Sequence, residues 1–149
     1  MTSILIFLEN LNAPELAYKT IYNKELSLRG RIFTKEKKYK DFYVDNDLDI
    51  KLLDRLNNIK NIEIRSTCQG HSKERPTYII FRTKNQDLNY IKKIIRKLKQ
   101  CPNTYVSYDI GMENKYRICV ATNTFYSSNN KQWTEWWNNI TNYLENIFK

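Results

Sequence analysis

A chain of 149 residues with 41% hydrophobic and 28% charged residues has room for one domain with a real core and is too apolar to be disordered. A single histidine excludes chemistry that needs several imidazoles, and three glycines exclude a GxGxxG dinucleotide fingerprint or a Walker loop. The net charge of +9, an odd count of three cysteines and the absence of any uncharged apolar run near the roughly 20 residues that span a bilayer lead us to expect a basic, soluble, cytoplasmic protein with no membrane partner.

In chain order, the run from Ile4 to Leu8 is too short for a signal segment, and Ser3 to Leu8 is predicted as the first strand. A helix is expected from Pro14, carrying Leu16, Thr20, Tyr22 and Leu26, and ending near Gly30. Residues 31–43 show no periodicity and read as a loop or an irregular extended segment. Asp45, Asn46 and Asp47 offer N-caps for a helix bearing Leu48, Leu52, Leu53 and Leu56. Strands are predicted at Ile62–Thr67 and Thr77–Arg82, separated by the turn-rich stretch Gln69–Pro76. Gln86–Gln100 follows as a helix with Leu88, Ile91, Ile95 and Leu98 on its inner side. Tyr105–Ile110 and Tyr116–Ala121 form a second strand pair around Gly111. The last helix, Gln132–Phe148, sets Trp133, Trp136, Trp137, Ile140, Tyr143, Leu144 and Ile147 on one face. Such a stripe is core, not a base-stacking platform. The second half is therefore a doubled strand-strand-helix unit. We expect an α+β fold in one domain over residues 1–149, with a mixed or antiparallel sheet.

The positive charge is concentrated. Arg29, Arg31, Lys35, Lys37, Lys38 and Lys40 face one acid, Glu36, and Lys92, Lys93, Arg96, Lys97 and Lys99 face none between them. The rest of the chain is close to neutral. Two basic segments on a neutral body suit a polyanion, through release of phosphate counterions. The expected phosphate contacts are Arg29, Arg31, Lys37, Lys38, Lys73, Arg75, Lys92, Lys93, Arg96 and Lys97. The bland alternative is a solvated lysine-rich surface.

One segment has the makings of a site. Ser66-Thr67-Cys68-Gln69-Gly70-His71 follows a predicted strand directly and holds the single histidine. Hydroxyls, a thiol, a flexible glycine and an imidazole at a strand end can turn donors toward a bound anion. Cys68 and His71 could also pair as thiolate and imidazole, although no third residue that would orient them is evident. Cys68, His71, Cys101 and Cys119 could together ligate zinc, but the last two stand singly, without a paired knuckle, and no metal is expected. A plain turn, with Gly70 at the bend, accounts for the same letters.

This hexapeptide between two strands resembles the Ser-Ser-Cys-Ser-Gly-Arg motif of the tRNA wybutosine-synthesis methyltransferase family, the third protein of that pathway. It is similar also to small viral and mobile-element proteins with a Ser-Cys-x-Gly-His motif. The likeness covers residues 45–100. It implies a mixed α/β fold, S-adenosylmethionine as cofactor and methylation of a modified guanosine in tRNA. By motif position it implies Ser66, Thr67, Cys68 and Gly70 near the cofactor or substrate; we expect Ser66, Thr67 and Gly70 at the cofactor and, from their own chemistry, Cys68 and His71 as the catalytic residues. Gln69 stands where the family has serine, His71 where it has arginine, and Gly111 is the sole later glycine. The expected function is RNA binding, tRNA favoured, with Ser66–His71 as the recognition or active site. The alternative is a non-catalytic viral or mobile-element accessory protein that binds a host protein.

Overall fold

The computed structural model describes residues 36–40, 42–71, 76–111, 113–127 and 130–149. The first predicted strand and helix, together with Arg29, Arg31, Lys73 and Arg75, lie outside the described residues. The described chain is α+β. A hairpin of β1 (Glu36–Tyr39) and β2 (Phe42–Asp45) leads to α1 (Ile50–Asn57). Then come β3 (Ile62–Cys68), β4 (Thr77–Thr83), α2 (Leu88–Leu98), β5 (Tyr105–Ile110), β6 (Tyr116–Thr122) and α3 (Lys131–Ile147). The four later strands form one antiparallel sheet in the order β3-β4-β6-β5, so the doubled strand-strand-helix unit is present.

The three helices cover one face of this sheet. Leu52, Leu53 and Leu56 of α1, Ile91, Ile94 and Leu98 of α2, and Trp133, Trp137, Ile140 and Leu144 of α3 form one cluster. Ile79, Phe81, Val106, Ile118 and Val120 meet them from the sheet. The tryptophan stripe is core as expected, Trp136 and Trp137 meeting edge to face with ring centroids 5.3 Å apart. Each helix starts on a side-chain cap: Asp49 accepts from the N–H of Lys51, Asp87 from that of Tyr90, and Asn130 from that of Trp133. Arg55 of α1 reaches across to Glu145 and Asn142 of α3 and ties those helices together.

Two expectations are corrected. Within the span 31–43, expected as a loop or an irregular extended segment, the described residues pair regularly as the hairpin of β1 and β2, in which Lys37 pairs with Val44 and Lys40 takes a positive φ of 53°. Tyr39 and Val44 are buried in the helix-side core. The hairpin's remaining side chains are mostly polar or charged, so the segment has no visible alternation. Asp45 is also not a helix cap; that role falls to Asp49, while Asp45 closes β2.

A bulge in β3 decides which face each residue of the strand end takes. Ile64 opposes Phe81, but Ser66 opposes Ile80, which leaves Arg65 as an extra residue. Directly opposed residues share a face, so Ile64 and Thr67 lie with the core residues Phe81 and Ile79. Ser66 and Cys68 lie on the other face, with Ile80 and Tyr78. That face is buried as well, since Tyr78, Ile80, Cys119, Ala121, Ser107 and Asp109 are all within it.

Trp137 is the largest side chain at the centre of the helix layer, and its indole N–H finds no hydrogen-bond partner among the described residues. Replacing Trp137 with Ala should lower unfolding stability by about 3–5 kcal/mol. Replacement with Phe should cost much less, because it keeps a ring and removes an unsatisfied donor. Urea denaturation followed by circular dichroism measures both.

Candidate functional site

Cys68 ends β3, and the chain turns at once through Gln69 and Gly70. Gly70 has φ +78°, the left-handed region that favours glycine. A Cβ there would stand 2.6 Å from Thr77 Oγ1 and 2.9 Å from the Phe125 Cα, so the protein itself fills the space beside Gly70. The turn is held on both flanks. Thr77 Oγ1 donates to the Gln69 carbonyl (2.6 Å) and also lies near the Thr124 carbonyl (2.7 Å). The Trp133 indole N–H donates to the same Gln69 oxygen at 2.6 Å, and the Tyr126 N–H donates to the Gly70 carbonyl at 3.2 Å.

The other partner of the turn is the end of β2. Asp45, 4% exposed, accepts the Gln69 backbone N–H on Oδ2 at 2.9 Å. Its Oδ1 lies 3.5 Å from His71 Nε2. The Gly70 N–H points to Cys68 Sγ at 3.5 Å. The Gln69 side chain, also buried, clamps Asp47: its amide oxygen accepts the Asp47 N–H (3.0 Å) and its amide nitrogen donates to Asp47 Oδ2 (3.1 Å). The N–H groups of the turn thus converge as the sequence suggests, but on a carboxylate and a sulfur of the protein.

Asp45, Cys68 and His71 each place a ligand atom within 4.8 Å of the others. Cys101 and Cys119 do not join this group, so a site of Cys68, His71, Cys101 and Cys119 is not assembled. Burial pushes the Cys101 and Cys119 thiols up, away from the reactive thiolate. Of the motif, Ser66 is half-buried on the face of Cys68, whereas Thr67 turns to the helix side and is not brought to the cluster. Tyr78 stands opposite Cys68, and burial holds its phenol well above the ordinary value, with Cys68 adding to the effect and Ser66 opposing it. Further along the same face, Arg117 forks onto Asp109 at 3.0 and 2.8 Å. Burial nevertheless raises the Asp109 carboxyl, against the pull of Arg117.

Sequence reasoning missed Asp45 and Gln69. Asp45 lies with Cys68 and His71 in one cluster. Its signal was a carboxylate directly after the apolar Tyr43-Val44, which also fits a surface cap.

The expected phosphate contacts divide. Lys92, Lys93, Arg96 and Lys97 are all exposed along the outer side of α2, and Lys38 is exposed on β1. Lys37 is half-buried, and its ammonium donates to the Leu48 carbonyl, so it braces the chain before α1.

Gly70→Ala should destabilise the protein by about 2 kcal/mol or more, since the left-handed backbone and the contact with Thr77 both oppose a Cβ. A thermal melt against the parent chain measures it; an unchanged midpoint would mean that the turn can relax.

No family model matches the chain, and no curated protein does. Among solved structures, the chain is similar to the "Structure of PH1069 protein from Pyrococcus horikoshii", with a TM-score of 0.39 and 14% identity over 96% of this chain and 98% of that one. A likeness at this level carries no functional argument.

Proposed function

We propose that this protein binds RNA through the outer side of α2, with the turn from Ser66 to His71 as its recognition site. The observation that carries the reading is the helix side itself. Lys92, Lys93, Arg96, Lys97 and Lys99 are exposed there, and none pairs with a described acid. Unpaired cations in a row release counterions when phosphates replace water. Beside them an open groove of about 360 Å³ is lined by Lys97, Asn139, Asn142, Tyr143, Asn146 and Ile147. Amides and a phenol next to cations suit sugar hydroxyls and base edges as well as phosphates, which favours RNA.

The resemblance also implies S-adenosylmethionine, and the turn as folded does not fit it. The Gln69 and Gly70 N–H groups are engaged within the protein, and Thr77 and Phe125 occupy the space beside Gly70. RNA binding is therefore proposed without methyl transfer. Three buried, reduced cysteines suit a reducing compartment, and we place the protein in the cytoplasm. Among the described residues, no helix is long and apolar enough to cross a membrane.

Fluorescence anisotropy with tRNA and with single-stranded DNA, across a salt series, tests the proposal. Affinity should fall steeply with salt. Reversing Lys92, Lys93, Arg96 and Lys97 to Glu should reduce the slope of log K against log salt by about 3, at roughly 0.7 for each lost contact with a single strand. No binding at low salt would refute it.

A further inference from the structure

We propose that Asp45, Cys68 and His71 form a zinc site with three protein ligands and a fourth position open on the side of His71. This inference does not depend on RNA binding.

The donor set is the first reason. Carboxylate oxygen, thiolate sulfur and imidazole nitrogen are the three side-chain ligands zinc takes. Bonds of about 2.0–2.3 Å in a tetrahedron put neighbouring ligand atoms roughly 3.3–3.7 Å apart. The Asp45 Oδ1 to His71 Nε2 separation of 3.5 Å already meets this, and Cys68 Sγ lies within the same 4.8 Å group.

The surroundings are the second reason. Metal ligands work when outer partners hold them in place. Asp45 is oriented through its other oxygen by the Gln69 N–H, and the Gly70 N–H points at the Cys68 sulfur. The left-handed Gly70 returns the chain so that Cys68 and His71, three residues apart, meet on one side. Gln69, locked onto Asp47, keeps the strand end and the hairpin end together.

Access is the third. The Asp45 side chain is 3% exposed and that of His71 20%, so an ion and its outer ligand exchange past the imidazole. On binding, the Cys68 thiol forms a metal–sulfur bond and its proton passes to solvent. Three protein ligands with an exchangeable water in the fourth place is the arrangement of reactive zinc centres rather than of closed structural ones.

Co²⁺ is the spectroscopic probe, added to the reduced, chelator-treated full-length chain. One ion per chain should bind, with a thiolate-to-cobalt band in the near ultraviolet and intense tetrahedral bands in the visible. Zn²⁺ should abolish both. Cys68→Ser should remove the near-ultraviolet band. His71→Ala, at a partly exposed position, should keep the parent circular dichroism and weaken binding by at least about 100-fold, more than the loss of an outer-shell partner. Azide should shift the visible bands, as an open position requires. No spectral change at saturating Co²⁺ overturns the site. So does a near-ultraviolet band that survives Cys68→Ser, which would assign the thiolate to Cys101 or Cys119. Visible bands indifferent to azide overturn the open fourth position.

Discussion

A carboxylate taken out of water must find its partners inside the protein, and Asp45 organises the end of the sheet by this requirement. It sits 4% exposed where β2 ends, and among its partners is the backbone N–H of Gln69, just beyond the last residue of β3. That bond joins the hairpin to the main sheet. It also fixes the height at which the turn begins, and so where Cys68 and His71 stand. Thr77, Trp133 and Tyr126 hold the turn from the other flank, drawing β4, α3 and the segment before α3 into the same arrangement. Gln69 and Gly70 are thus tied to four separate parts of the chain.

The two ends of the functional argument rest on different physics. On α2 the cations are exposed and screened, and individually each contributes little. Their effect is collective, through the field they create and the counterions they displace. At the turn the groups are few, buried and directional, and each hydrogen bond decides what its neighbour can do.

Much of the fold was legible in the letters. The stripes of α2 and α3 recur at helical spacing, and the strands from Ile62 to Ala121 alternate or run apolar between turn residues. The hairpin was not legible, because Lys37 and Lys38 beside Tyr39 make no alternation, and Tyr39 finds its burial against helices that come later in the chain. The motif was found, and its glycine was rightly read as a bend. What the letters did not carry was the partner. Asp45, Asn46 and Asp47 read as caps on paper, and only the folded chain shows that Asp49 caps while Asp45 is buried.

The extra residue at Arg65 has a bearing on how chains like this one should be compared. In a strand the side a residue faces is a matter of odd or even count. The motif therefore has meaning only together with the bulge that separates it from the first paired position, Ile62. A chain with the same six letters and a strand of the same length, but no bulge before them, would align without a gap and still send its cysteine into the packing of the helices. Kinship of letters and kinship of chemistry part company here over a single unpaired residue, and the bulge is the feature that inheritance would have to preserve.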